Sequence, residues 1–155
     1  MTQPQAAATQ PPSIAARLTA LRAGRYAPLV GRAESGWIVL GDPQVLEGYC
    51  LLIADPEVAH LNALSAAARA VFLADMARLG DAVLTVTQAL RVNYAMFGNV
   101  DPLLHAHVFP RRASEPEAQR AMQPFALDWS VAPRFDAARH AALAAALRAA
   151  LKLGA

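Results

Sequence analysis

The residues of this chain best suited to chemistry are two imidazoles in alternation, His105-Ala106-His107. On a strand, alternate side chains share a face and stand about 7 Å apart, so Leu103, His105 and His107 point one way and Leu104, Ala106 and Val108 the other. One face is then apolar and packed, while the other presents both rings. Asn99 stands in the turn Gly98-Asn99-Val100-Asp101-Pro102 that enters this strand, and Arg111 and Arg112 leave it. Imidazoles, an amide and guanidiniums gathered around one strand suit a phosphate ester or anhydride. Plainer readings of the same residues stay open. A His-x-His pair is also two packed histidines, or two same-face metal ligands that need a third, for which His60 is the candidate. Asn99 is an ordinary turn residue, and Arg111 and Arg112 are ordinary solvated charges. His140, among alanines, reads as exposed.

The elements that must position these groups follow from the spacing of apolar residues. Ser13 caps a short helix to Arg22 with Ile14, Leu18 and Leu21 on one side and Gly24 as its stop. Gly36–Leu40 reads as a strand closed by Gly41-Asp42-Pro43, and Tyr49–Ala54 as a second, antiparallel to it and ended by Asp55-Pro56. From Ser65, Phe72, Met76, Leu79, Val83, Val86 and Leu90 recur every three or four residues, the strongest helical pattern in the chain. Val92–Phe97 and Leu103–Phe109 are read as strands. Residues 111–134 are broken by proline and irregular, and Asp136 caps a final Ala-rich helix with Leu143, Leu147 and Leu151 on one stripe. The order predicts an α+β domain, an antiparallel sheet with helices packed on one face. Residues 1–12, rich in Gln, Pro and Ala, are expected to form a disordered tail before a single domain over 13–155.

The 155 residues fit one domain, and a charged fraction of 17% against 55% hydrophobic excludes a disordered chain. Thirty-seven alanines thin the large-apolar core. Every apolar run is broken by Arg, Asp or Gln before the roughly 18–20 residues of a membrane span, so no membrane partner is expected. The net charge of +2, with no Lys/Arg-rich run, argues against nucleic acid. Thirteen of the fourteen basic residues are Arg, which suits bidentate contact with phosphate, although so strong a bias also follows from genomic base composition. The lone Cys50 excludes an intrachain disulfide, and with no charged segment leading into an apolar stretch at Met1 the chain reads as cytoplasmic.

The stretch Asn93 to Arg111, NYAMFGNVDPLLHAHVFPR, resembles the motif of the histidine-triad (HIT) proteins: His, apolar, His, apolar, His, then two apolar residues. It is most similar to a bacterial branch with a Gly-Asn turn and Pro before the motif and Phe-Pro-Arg after it. Upstream, Gly41-Asp42, the run Gly48 to Ile53 and His60 to Ser65 follow the family's order, so the resemblance spans roughly residues 36 to 112. It implies a HIT-like fold. It also implies a nucleotide hydrolase or nucleotidyl transferase that works without a cofactor or metal on a nucleotide derivative, of the dinucleoside polyphosphate or phosphoramidate type. His105 maps to the family's nucleophile and His107 to the third histidine. Donors around the phosphoryl oxygens are then expected from His107, Asn99 and the backbone amides of the turn, with Arg111 and Leu103 as further substrate-binding residues, and Asp42 maps approximately to the ribose-binding acid, with Val39 and Leu40 beside it at the base. The first histidine is replaced by Leu103, which still offers a backbone carbonyl to orient His105 but no side-chain relay, and a catalytically weak nucleotide-binding or regulatory protein is the alternative. Tyr49 falls where several members carry a further histidine, yet an aromatic on a strand reads as packing. A homodimer is expected, partly from the resemblance and partly because a thin core benefits from added burial.

Overall fold

The computed structural model describes residues 11–154, so the tail expected over 1–12 lies, apart from Pro11 and Pro12, outside the described residues. Among the described residues five strands, β1 (Leu29–Arg32), β2 (Gly36–Leu40), β3 (Cys50–Ala54), β4 (Arg91–Ala95) and β5 (His105–Arg111), form one sheet in the order β1-β2-β3-β5-β4. Every neighbouring pair is antiparallel. Among the described residues four α-helices accompany them: α1 (Ile14–Arg22), α2 (Ala66–Thr87), the single turn α3 (Glu117–Arg120) and α4 (Ala137–Ala150). The three longer helices start where capping chemistry puts them. Ser13 accepts from Ala16 N–H, Ser65 from Ala68 N–H and Asp136 from Arg139 N–H.

Alternation along the strands sorts the side chains into two layers. Ile38, Leu40, Cys50, Leu52, Ala54, Ala106 and Val108 face Phe72, Leu79 and Val83 of α2 and Leu147 of α4. Their neighbours Val39, Leu51, Ile53 and Phe109 point the opposite way, towards Ile14, Leu18 and Leu21 of α1. The α+β architecture is as expected, and the two long helices do share one face. The short α1 lies on the other face, because its Ile14-Leu18-Leu21 stripe needs an apolar partner and the helix-covered face is already full.

Three of the differences from the sequence reading have clear local reasons. β1 was not expected: four residues holding Gly31 and Arg32 show no alternation, and the strand exists through its pairing with β2, with an irregularity between Leu29 and Gly31. β5 starts at His105 rather than Leu103, since the Leu103 carbonyl turns to a histidine ring instead of the ladder. It also runs past Pro110. Pairing with β3 reaches no further than Val108, so from there β5 is bonded on one side only, a position that tolerates proline.

Candidate active site

β5 carries the histidines. His105 and His107 lie on the face opposite Ala106 and Val108, as alternation requires, with Ile53 paired beside His105 and Leu51 and Ala95 flanking His107. Both are buried, at 6% and 9% exposure, and their rings meet edge to face with centroids 4.8 Å apart. The Nδ1 of His105 is 2.7 Å from the backbone oxygen of Leu103. A carbonyl oxygen only accepts, so Nδ1 must carry the proton, and in the neutral ring Nε2 is left with the lone pair. A carbonyl two residues upstream therefore fixes the tautomer that a nucleophilic histidine needs.

His107 is held differently. Its Nδ1 lies 2.7 Å from the hydroxyl of Tyr49, the residue immediately before β3. Burial raises the pKa of Tyr49, so the phenol keeps its proton, and with no other acceptor for that O–H among the described residues it donates a hydrogen bond to Nδ1, which places the imidazole hydrogen on Nε2. His107 also sits among aromatic rings. Phe109 is parallel to it at 5.8 Å and Phe125 edge-on at 5.0 Å, while Tyr49 stacks on Phe109 at 4.3 Å. Desolvation by these rings, repulsion from His105 and the charge of Arg17 together push the pKa of His107 down to about 3. The ring is neutral at physiological pH and acts there as a hydrogen-bond donor from Nε2. The pair thus offers one unprotonated nitrogen and one N–H side by side.

The other residues picked out in the sequence divide. Asn99 is exposed in the loop between β4 and β5. Leu103 packs on the histidine face with the α1 layer, and its carbonyl orients His105. Arg111 is engaged within the protein. It lies two same-face steps beyond His107, about 14 Å along the strand, and its guanidinium is taken up by Glu115 at 2.7 Å, by Asn93 and by the carbonyls of Met122, Gln119 and Arg120. Arg111 therefore ties down the segment after β5 and is spent before any phosphate arrives. Arg112 likewise serves the carbonyls of Thr87 and Glu47.

Asp42 is also occupied, because its carboxylate accepts from the Phe135 N–H and the Arg134 guanidinium and so clips the chain entering α4 to the end of β2. Leu40 faces the helix layer, so of the two residues expected beside a base only Val39 is on the histidine face. His60 is exposed at the start of a short 3-10 turn, and among the described residues no group of three or more His, Cys, Asp and Glu is arranged to hold a metal. His140, expected exposed, is 1% exposed and stacked on Phe135 at 5.4 Å.

Sequence reasoning missed Tyr49 as a partner of His107, although its place in the resemblance was noted. It missed Arg17 altogether, because a lone Arg on an amphipathic helix resembles any other surface charge. Beside the histidines, Phe97, Phe109 and Phe125 border an open cleft of about 1010 Å³ that continues along Asn93 and Ala95 to Met122.

No protein-family model matches the chain, and no curated protein does. Solved structures do match. A histidine triad protein from Bradyrhizobium japonicum superposes with a TM-score of 0.70 at 19% identity, over 79% of this chain and 89% of its own. The fold is that of the histidine-triad proteins. A hypothetical histidine triad nucleotide-binding protein from Sulfolobus tokodaii shares the fold with a TM-score of 0.69 at 13% identity, covering 88% of this chain and 91% of its own. A Hit-like protein involved in cell-cycle regulation from Bartonella henselae matches at 0.67 and 17%, over 89% and 95%. At these identities the histidine-triad likeness is one of fold, and the chemistry must be argued from the site itself. Among the described residues no helix is long and apolar enough to cross a membrane.

Proposed function

We propose that the chain is a nucleotide-binding hydrolase or nucleotidyl transferase that attacks the α-phosphorus of a nucleotide derivative with His105. The observation that carries this reading is the 2.7 Å bond between His105 Nδ1 and the Leu103 carbonyl, which frees Nε2 as a nucleophile without help from a first histidine. In the reaction the Nε2 lone pair forms a bond to the α-phosphorus. The bond from phosphorus to the leaving oxygen or nitrogen breaks, with its electrons and a proton from solvent or the substrate going to the leaving group. Water or another acceptor then displaces His105, releasing the monophosphate or its ester. His107 donates from Nε2 to a non-bridging oxygen, where charge builds as the new bond forms. Asn99 adds an amide on the loop side, and Leu103 serves through its carbonyl. Dinucleoside polyphosphates and nucleoside phosphoramidates both fit, and the route needs no cofactor.

The absence of a side-chain relay at Leu103 favours a second reading, a nucleotide-binding protein with weak turnover. Both readings expect nucleoside monophosphate binding, and only the first expects a covalent intermediate. Intact-mass analysis after brief incubation with an activated adenylate separates them. The native chain should gain one adenylyl group and His105→Asn none. A native chain that binds AMP yet gains no mass overturns the enzyme reading. The buried, unpaired Cys50 supports a cytoplasmic setting. Leu90, Tyr94, Met96 and Phe97, exposed along the β4 edge, support a homodimer.

A further inference from the structure

Arg17 stands out in α1. It lies on the inward stripe Ile14-Arg17-Leu18-Leu21, the stripe that packs on the histidine face of the sheet, and it is 7% exposed. A guanidinium so placed is expected to be paired, because removing a charge from water costs several kcal/mol. Its Nε donates to the carbonyl of Pro12 at 2.9 Å, and this is the one hydrogen bond it makes among the described residues. It has no ion pair there either. The four N–H bonds of its two terminal nitrogens are unspent. Since among the described residues no fully buried side-chain nitrogen or oxygen lacks a partner, those nitrogens touch the little solvent that enters this face. After burial and His105, the charge of Arg17 is a third influence disfavouring protonation of His107, and it also acts on Tyr49 and Tyr26. The cation therefore lies within electrostatic reach of the site. The start of α1 is itself tied to the loop before β5, where Ile14 N–H donates to Asp101 Oδ2 at 2.5 Å.

We propose that Arg17 is a substrate-binding residue whose terminal guanidinium nitrogens hold a phosphate group of the substrate on the histidine face. The proposal rests on the nucleotide reading above and deepens it. The arginines at the end of β5 are spent on protein carbonyls and a carboxylate, and Arg17 supplies the charge they were expected to bring. Its planar fork matches two oxygens of one phosphate, and the Pro12 carbonyl fixes the plane of the fork before substrate arrives. An anion there completes the pairing that the buried cation lacks.

The test uses pyrophosphate as a base-free probe, titrated calorimetrically into the full chain and into Arg17→Met, which keeps the apolar stem in the α1 stripe. Binding to the native chain should weaken at least about tenfold in Arg17→Met, as expected for a lost charge-assisted pair of hydrogen bonds. Arg17→Lys should recover part of it, and the Tm should stay within about 2 °C, because the stem remains packed. If Arg17 only packs α1, Arg17→Met binds pyrophosphate as the native chain does, and the proposal falls. It falls equally if the native chain binds no pyrophosphate at millimolar concentration. Adenylyl transfer to His105 in the same three proteins reports separately on the nucleotide reading. A native chain that binds pyrophosphate through Arg17 but takes up no adenylyl group keeps the phosphate site and loses the nucleophile.

Discussion

His105 and His107 are two residues apart on one strand, yet they take opposite tautomers, because a carbonyl contacts Nδ1 of one and a phenol contacts Nδ1 of the other. His105→Ala should reduce nucleotidyl transfer by orders of magnitude with the fold intact, and retention of more than about a tenth of the native rate would contradict its role. Tyr49→Phe removes the donor that fixes His107 and leaves Nδ1 buried without a partner. It should lower kcat roughly tenfold, less than the about 10²–10⁴ lost with an acid or base itself, and cost about 1–2 kcal/mol of stability. Monophosphate affinity should hardly change, and an unaltered kcat would reduce Tyr49 to packing. His107 also sets an acid limit. Its folded pKa of about 3 lies below the ordinary histidine value of 6.5, so the unfolded chain binds the extra proton between those values. This contribution to stability is complete above about pH 6.5 and is lost as the pH falls towards 3, with a slope of at most about 1.4 kcal/mol per pH unit. Denaturant unfolding from pH 7 to 4 should show this slope in the native chain and lack it in His107→Asn.

At the scale of elements, the turn after β2 meets the residue before β3 in a contact that reaches the site. A Cβ added at Gly41 would fall 2.1 Å from two carbons of the Tyr49 ring, while the Gly41 N–H bonds the Tyr49 carbonyl at 2.8 Å. The ring lies flat on the backbone there, and only glycine leaves room for it. Gly41→Ala must displace Tyr49 and with it the bond to His107. We expect it to reproduce the catalytic loss of Tyr49→Phe and to cost a further 1–3 kcal/mol, roughly, for overpacking. Thermal unfolding together with kcat would check both, and wild-type kcat in Gly41→Ala would show that the Tyr49 bond is not needed. The segment after β5 follows the same logic, since Arg111 gathers Glu115 and three backbone carbonyls into one hub that seats Phe125 beside His107.

For the whole molecule, the sheet leaves β4 as an edge, and the apolar Leu90 and Met96 and the aromatic Tyr94 and Phe97 are exposed at 69%, 37%, 43% and 52% along it. An unpaired edge lined with such residues is a template for association unless it is covered. With the core thinned by alanine, pairing of two β4 edges about a two-fold axis would add the missing burial. Light scattering at micromolar concentration should therefore give twice the 16.4 kDa chain mass. A charge in the middle of the edge, Tyr94→Asp, should shift the mass towards that of one chain. A native mass of 16.4 kDa would remove the dimer from the account.

What the sequence alone determined was local. The period of two across residues 103–109 assigned the histidines to one face and Ala106 and Val108 to the core. Capping residues at Ser13 and Asp136 and the change to helical spacing from Ser65 marked three helix starts, and the run from Phe72 to Leu90 marked the longest helix to within a turn. These features depend on residues a few positions apart, where sterics and hydrogen bonding act directly. Tertiary structure decided which polar groups were free to do chemistry. Arg111 and Asp42 carry the right charges in the right order, but partners four and more than ninety residues away consume them. Tyr49 and His107 meet across fifty-eight residues because β3 pairs with β5, and Arg17 is buried on the histidine face because that face of the sheet was left for α1. A side chain is available to a substrate only when its hydrogen-bonding capacity is unspent, and that balance is struck across the whole fold.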